Sequence, residues 1–148
     1  MALIHKILVA TDFSEPANHA IDYGAELAVK LSAPILLVHV YTLPLLAVPD
    51  GFVPLNVPDV ATAMAQLQDG LGKARDRARA QGAVSVETRL VEGVPWHEIV
   101  ETAKTQGCDL IVMGTQGLGG VAHFLVGSVA EKVVRKAACP VLAVHRPR

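Results

Sequence analysis

One segment of this 148-residue chain concentrates residues suited to anion binding: Met113 to Val134, MGTQGLGGVAHFLVGSVAEKVV. Glycine has no Cβ atom, so backbone N–H groups in a glycine-rich loop approach a ligand closely and reach conformations with positive φ. Five of the twelve glycines in the chain fall within this segment: Gly114, Gly117, Gly119, Gly120 and Gly127. A ligand recognised by main-chain amides, such as phosphate, would account for this concentration of glycine.

The end of the same segment, GSVAE, has the pattern of a helix N-terminus. Ser128 is placed to be the N-cap, and Glu131, three residues later, completes a capping box. The unpaired N–H groups of a first helical turn, with the positive end of the helix dipole, favour anions. A purely structural cap by Gly127 and Ser128 is also compatible with the pattern, but it leaves the other glycines unexplained. The segment matches neither G-x-x-x-x-G-K-[ST] nor a G-x-G-x-x-G after the first strand.

Short apolar runs alternate with helical patterns along the chain. Strands buried on both faces of a sheet are almost continuously apolar, and the runs with this character are 6–11, 33–40, 84–91, 109–114 and 140–145. The third run is less uniformly apolar, which places it nearer a sheet edge. Strands alternating with helices predict a parallel sheet with right-handed crossovers and helices on both faces. We therefore expect one α/β domain spanning residues 1–148.

The connection between the second and third strands is less clear. Residues 41–59 contain four prolines and predict no regular element. From Val60 an apolar stripe at helical spacing predicts a helix that runs to about Gln81. Gly70 and Gly72 lie inside this helix, where each costs about 1 kcal/mol relative to alanine.

Composition and charge disfavour several classes of function. A formal net charge of −1 provides no basic surface for nucleic acid. The longest apolar run, Pro34 to Pro49, is interrupted by polar residues and falls short of a bilayer span, and MALIHK lacks the form of a signal peptide. Two cysteines argue against a disulfide scaffold, and six scattered histidines argue against a zinc site. We expect a cytoplasmic protein that binds neither nucleic acid nor membrane.

Within the glycine-rich segment, GTQG, nine residues and then GS form the pattern G-x-x-G-x9-G-[ST]. It resembles the nucleotide loop of the universal stress protein family. The resemblance extends to KILVATDFSEPA, LLVHV, CDLIVMGTQG and GSVAEKVVRKAACPVLAV, and is missing from residues 41–59 and much of the following helix. It implies a three-layer α/β/α domain, Rossmann-like and similar to adenine nucleotide alpha hydrolases, with a five-stranded parallel sheet of order 3-2-1-4-5. It also implies a homodimer that holds ATP at the carboxyl ends of strands one and four.

The resemblance implies the residues of an adenine nucleotide site. Adenine would contact Ala10 and Asp12 at the end of the first strand, and the backbone of Val40 after the second. Asp12 has an alternative role as a cap of the first helix, which Ser14 is also placed to fill. Ribose and phosphates would contact the loop and the helix start, at Gly114, Thr115, Gln116, Gly117, Gly127, Ser128 and Val129.

One position departs from the family pattern. Many members carry Lys or Arg just after the second loop glycine, where this chain has Leu118, and no Lys or Arg occurs between Lys104 and Lys132. Backbone N–H groups, a divalent cation such as Mg²⁺ or Mn²⁺, and His123 would then neutralise a triphosphate, unless a cation from elsewhere in the fold contributes. This predicts weaker ATP binding with a stronger dependence on the metal ion. ADP or AMP is an alternative ligand.

We expect a regulatory stress-response protein that binds ATP, forms a homodimer through its last strand, residues 141–146, and acts on an unidentified protein partner. Two alternatives stay open: a stress protein that works through protein contacts without nucleotide, and a slow ATP hydrolase or phosphotransferase. The adenylate-transfer signatures H-x-G-H, K-M-S-K-S and S-G-G-x-D-S do not occur. No general base is arranged beside the loop, so no catalytic residue is assigned and any hydrolysis is expected to be slow.

The two cysteines occupy equivalent positions before two of the predicted strands. Cys108 and Cys139 each lie two residues before the apolar start of a strand. If those strands are neighbours, both thiols lie at the sheet edge opposite the nucleotide. A redox pair and two inert thiols are both compatible with this placement.

Overall fold

The computed structural model describes residues 3–43, 45–54, 57–116 and 126–145. Five of the seven described strands fall close to the five predicted runs, and helices lie near the two predicted starts, Val60 and Ser128. In chain order the elements are β1 (Ile7–Ala10), α1 (Glu15–Leu31), β2 (Ile35–Tyr41), β3 (Leu45–Val48), β4 (Gly51–Pro54), α2 (Val57–Ala80), β5 (Val86–Glu92), α3 (Pro95–Thr105), β6 (Leu110–Gly114), α4 (Ser128–Lys136) and β7 (Val141–Val144).

The main sheet has five parallel strands in the order β5-β2-β1-β6-β7. The predicted fold class, a three-layer α/β/α domain around a parallel sheet, is confirmed. The strand numbers differ from the predicted order 3-2-1-4-5 because two unpredicted strands, β3 and β4, precede β5 in the chain and form a separate sheet. The less apolar third run forms β5 at one edge of the sheet, as expected. The order reverses direction between β1 and β6, which is where open α/β sheets bind ligands.

The prediction of no regular element in residues 41–59 is wrong. β3 and β4 form an antiparallel hairpin in which Leu45 pairs with Pro54 and Val48 pairs with Gly51. The prolines do not prevent this because a two-stranded ribbon has only edges, where a missing N–H is tolerated. Pro49 lies in the turn of the hairpin. The following helix, α2, begins at Val57 rather than at the predicted Val60.

Side chains of the central strand alternate between two hydrophobic cores, one on each face of the sheet. Ile7 and Val9 belong to the core formed with α1 and α2. Leu8 and Ala10 belong to the core formed with α3 and α4. All of these residues are buried, as a strand covered on both faces requires. Ala10 therefore ends β1 on the face covered by α3 and α4.

The start of α1 fixes the loop that follows β1. Ser14 is the N-cap, and its hydroxyl accepts a hydrogen bond from the backbone N–H of Ala17 at 3.2 Å. Pro16 lies in the first turn, where its missing N–H costs no helical bond. Of the two predicted caps, Ser14 fills this role, so the side chain of Asp12 is left to serve the loop. None of the described helices has both the length and the apolar character to cross a membrane.

Candidate functional site

A cavity of about 400 Å³ opens at the carboxyl ends of β1, β2 and β6, at the point where the strand order reverses. Its size falls in the range of small-molecule sites. The predicted site residues that line it are Ala10, Asp12, Val40, Gly114, Thr115, Gln116, Gly127, Ser128 and Val129. The remaining predicted residue, Gly117, lies outside the described residues, as do Leu118 and His123. The structure thus brings residues from four separate segments to one cavity.

The end of β1 forms one wall of the cavity. The backbone N–H of Thr11 donates to the carbonyl oxygen of Val38 at 2.9 Å, which continues the β1–β2 ladder to the cavity. Asp12 follows, and its Oδ1 accepts hydrogen bonds from the backbone N–H of Ser14, at 3.0 Å, and from the Ser14 hydroxyl. The Asp12 carboxylate is therefore held against the start of α1 while it lines the cavity.

The opposite wall is formed by the end of β6 and the start of α4, which are joined directly. The backbone N–H of Thr115 donates to the carbonyl oxygen of Val144 at 3.1 Å, and that of Gly127 donates to the carbonyl oxygen of Thr115. A Cβ atom on Gly127 would lie 3.1 Å from this same carbonyl oxygen. The glycine therefore allows the helix start to approach the strand end closely.

The predicted capping box at the start of α4 is wrong. The N-cap is Gly127, in extended conformation, and it makes no side-chain capping hydrogen bond; Ser128 is the first helical residue. The carboxylate of Glu131 instead accepts a hydrogen bond from Arg135 Nη2 at 2.6 Å. A glycine cap leaves the N–H groups of the first turn without a capping side chain, and Gly127, Ser128 and Val129 all line the cavity. Among the described residues no capping side chain occupies these N–H groups, so the helix start directs them and the positive end of its dipole towards the cavity.

The described lining of the cavity is largely apolar. Among the described residues that line it, Asp12 alone carries a formal charge. Lys132, one turn into α4 beyond Ser128, does not line the cavity, and its Nζ lies 6.0 Å from the centroid of the Trp96 ring on α3. A polyanion in this cavity would thus meet main-chain donors rather than lining lysines or arginines of the described part of the chain.

Several lining residues were not predicted. Pro95 and Ile99 come from α3, which carries no motif of its own, although its N-terminus follows β5 and reaches the same end of the sheet. That placement was the only available signal, since ligand sites gather at the carboxyl ends of parallel strands. The other additions are buried or partly buried neighbours of predicted residues: Thr11, Ala17, Val38, Met113 and Ala130.

The two thiols lie at the other end of the sheet. β6 and β7 are neighbours. Cys108 and Cys139 precede these strands and therefore lie at the same end of the sheet, as expected. Both are free, and both join the core between the sheet and α3 and α4. Burial raises the pKa of the Cys108 thiol and that of the Cys139 thiol. Because the thiolate is the reactive form, this favours two inert thiols over a redox pair.

Among the described residues, no His, Cys, Asp and Glu side chains are clustered so that they could hold a metal ion. The fold and the cavity together define a doubly wound α/β protein with a cavity at its topological switch point, the position where such sheets bind ligands. The sequence model of the universal stress protein family matches residues 4–145, and the chain belongs to that family.

Individual relatives agree with this assignment. Universal stress protein MJ0531 of Methanocaldococcus jannaschii is 35% identical over 99% of this chain and 85% of the relative. The crystal structure of a universal stress protein in complex with cAMP superposes with a TM-score of 0.75 at 30% identity, over 96% of this chain and 97% of the other. A universal stress protein from Archaeoglobus fulgidus in complex with dAMP gives a TM-score of 0.69 at 25% identity, over 97% of this chain and 99% of the other.

Proposed function

We propose that residues 1–148 form a regulatory domain of the universal stress protein family that binds ATP in the cavity between β1 and β6. The observation that carries this proposal is that the glycine-capped start of α4 lines the same cavity as Ala10 and Asp12. One cavity therefore offers main-chain donors for phosphate and, across from them, apolar and acidic groups for a base and its polar edge.

The lining supports an assignment of the two ends of the cavity. Val38, Val40 and Ile99 provide an apolar surface for a planar base, and Asp12 provides an acceptor for its amino group. Gly127, Ser128 and Val129 lie at the positive end of the α4 dipole, which suits phosphates. Gly114, Thr115, Gln116 and Gly117 would lie along the ribose and phosphates between these ends.

The comparisons support an adenine nucleotide as the ligand class. The two family members described above were solved with cAMP and with dAMP, which share adenine and a phosphate. The choice of ATP over ADP and AMP rests on the resemblance of the loop. Because no lysine or arginine of the described residues lines the cavity, ATP would bind together with Mg²⁺ or Mn²⁺.

We further propose a regulatory rather than a catalytic role in the cytoplasm. Asp12 is the only carboxylate among the described residues that line the cavity, and it already accepts two hydrogen bonds from Ser14. A group engaged in this way is poorly placed to activate water, so bound ATP would act as a signal that changes the affinity for a protein partner.

A homodimer through β7 fits the same proposal. β7 is an edge strand of the sheet, and its residues are only half-buried. An unpaired strand edge requires a cover, and a second copy of residues 141–146 would supply one in an isologous contact. Beside this edge lies a groove lined by His19 and Tyr23, and Tyr23 is 50% exposed.

Isothermal titration of the purified protein tests the ligand. We expect ATP with Mg²⁺ to bind, ATP in EDTA to bind more weakly, and adenosine to be insensitive to Mg²⁺. Mass spectrometry of small molecules released on denaturation gives the ligand carried from the cell. Failure to bind any adenine nucleotide would favour the alternative in which the protein works through protein contacts alone, and equal ATP affinity with and without Mg²⁺ would contradict the metal requirement.

A further inference from the structure

Phe13 has an unusual backbone conformation beside the cavity. Its φ is 67°, in the left-handed region that a bulky residue rarely adopts. It lies between Asp12, which lines the cavity, and Ser14, the N-cap of α1. A residue stays in such a conformation only where its surroundings hold it, and such residues cluster at functional sites.

Two contacts hold the Phe13 ring. It stacks on the imidazole of His39 in β2, with ring centroids 4.2 Å apart and planes inclined by 29°. It also lies against the backbone of α2 at Gly70, where an added Cβ atom would be 3.1 Å from both Cε1 and Cζ of the ring. The ring therefore connects the loop after β1 to α2, a helix that contributes no described residue to the cavity wall.

Hydrogen bonds from backbone N–H groups to side-chain oxygens connect the Phe13 backbone to Asp12. The N–H of Phe13 donates to Thr11 Oγ1 at 3.0 Å, and the N–H of Ser14 donates to Asp12 Oδ1 at 3.0 Å. His39 Nδ1 lies 2.8 Å from the carbonyl oxygen of Thr11, so it acts as the donor in that hydrogen bond. The conformation of Phe13 thus sets where the N–H of Ser14 points, and with it where the Asp12 carboxylate is held.

We propose that Phe13 is a positioning residue that holds the Asp12 carboxylate at the cavity wall, and that residue 70 is glycine because the Phe13 ring needs its space. This explains a glycine inside a long helix, where helix propensity favours alanine. The proposal rests on the proposed function for its ligand. It adds that α2, outside the cavity, controls the end of the site that contains Asp12.

The test uses Gly70→Ala, with Gly72→Ala as the matched control. Both place one methyl group in α2, but a Cβ on Gly72 meets only Arg75 Nη2, at 3.9 Å. Gly70→Ala should weaken adenosine and ATP binding equally, by about tenfold, which corresponds to about 1.4 kcal/mol. In the ligand-free protein it should also speed hydrogen exchange at the Phe13 and Ser14 amides. Gly72→Ala should change neither measurement.

Repeating Gly70→Ala in a Phe13→Leu background shows whether the loss of affinity depends on the Phe13 ring. Leucine lacks the Cε1 and Cζ atoms that would lie 3.1 Å from the new methyl group, and in place of the ring Cδ1 at 3.3 Å it has a methyl group on a flexible side chain, so Phe13→Leu relieves the conflict. Gly70→Ala should therefore cost no affinity when added to Phe13→Leu, and exchange at Ser14 should not increase further. A cost that persists in this background would overturn the proposal, as would a loss confined to ATP.

The exchange measurement separates this proposal from the proposed function. If the unmodified protein binds no adenine nucleotide, the proposed function fails, but faster exchange at Phe13 and Ser14 in Gly70→Ala alone still supports the positioning role. If nucleotide binds and Gly70→Ala leaves both affinity and exchange unchanged, the positioning role is wrong and the nucleotide site stands.

Discussion

The backbone N–H of Gly127 donates a hydrogen bond to the carbonyl oxygen of Thr115, and a Cβ atom on Gly127 would lie 3.1 Å from that oxygen. The start of α4 is thereby fixed to the end of β6. Gly127→Ala should lower the free energy of unfolding by about 1–2 kcal/mol, because alanine is a poor N-cap and the methyl group meets a backbone atom that is itself hydrogen-bonded. Urea denaturation measures this change.

Gly72→Ala is the matched variant for that measurement. Its methyl group meets only Arg75 Nη2, at an ordinary contact distance of 3.9 Å, so it should raise the free energy of unfolding by up to about 1 kcal/mol through helix propensity. If Gly127→Ala were as stable as the unmodified protein, the close approach of strand and helix would not constrain the site.

A bidentate ion pair joins the two helices on one face of the sheet. Arg77 Nε and Nη2 donate to Asp22 Oδ1 and Oδ2, each at 2.7 Å, and this hydrogen bonding raises the pKa of the Arg77 guanidinium. Lysine cannot reproduce the paired geometry, so Arg77→Lys should cost about 0.5–1 kcal/mol, a small value because both groups are partly exposed to solvent. A double-mutant cycle with Asp22→Asn measures the coupling.

The salt dependence of the coupling energy between Arg77 and Asp22 tests whether charge stabilises this ion pair. The coupling should shrink between low salt and about 1 M salt, where the Debye length falls to about 3 Å. A coupling that does not respond to salt would mean that packing of the arginine stem, rather than charge, stabilises the contact between α1 and α2.

Asp109 links the N-terminal segment to the start of β6 and makes stability depend on pH. A hydrogen bond from the backbone N–H of His5, at 2.5 Å, lowers the pKa of the Asp109 carboxyl below its ordinary value. Because the pKa of Asp109 is lower in the folded than in the unfolded state, its ionised carboxylate stabilises the folded protein. This stabilisation is complete above the unfolded-state pKa of about 3.9 and is lost as the pH falls through the folded-state pKa. Asp109→Asn keeps an acceptor oxygen but removes the charge.

Urea midpoints between about pH 2 and pH 7 measure this effect. The unmodified protein should be more stable than Asp109→Asn near neutral pH, and the difference should disappear at the acidic end. A difference that is constant with pH would show that the charge of Asp109 contributes nothing.

The outer edge of β7 tests the proposed dimer. The carbonyl oxygens of Pro140 and Val144 accept hydrogen bonds from β6 and from Thr115, so the N–H of Ala143, one residue out of phase, points away from the sheet. Ala143→Pro removes this outward donor and is tolerated on an edge strand. We expect a monomer by light scattering, with Ala143→Ser as the dimeric control; a dimeric proline variant would place the interface elsewhere.

Much of the fold was predictable because buried strands leave a strong signal. Val112 and its neighbours in β6 are almost continuously apolar since both faces of the strand are covered. The hairpin of β3 and β4 was missed because its strands are short and contain or adjoin Pro49 and Pro54, which usually mark loops. Only the pairing itself, a long-range property, shows that these prolines occupy tolerated positions.

Residues that line the cavity were predicted where a motif marks the backbone and were missed where packing alone brings a side chain to the cavity. The glycine pattern located Gly114 and Gly127, whereas Ile99 lies on a helix without a motif and reaches the cavity only through the packing of α3 on the sheet. The cap of α4 was assigned one residue late, because Ser128 has the stronger cap preference although Gly127 fits closer to Thr115. The positive φ of Phe13 depends on His39 and Gly70, which are distant in sequence.

Titration of ATP with Mg²⁺ into Ser128→Pro, with Ser128→Ala as control, tests the main-chain phosphate site most directly. Proline at the first helical position removes one backbone donor and preserves the helix, and Gly127 before it already has the extended conformation that proline requires. The proline variant should bind ATP about tenfold or more weakly than the alanine variant, because a hydrogen bond to a charged group is lost, with adenosine affinity unchanged in both. Equal ATP affinity in the two variants would contradict phosphate binding by the start of α4.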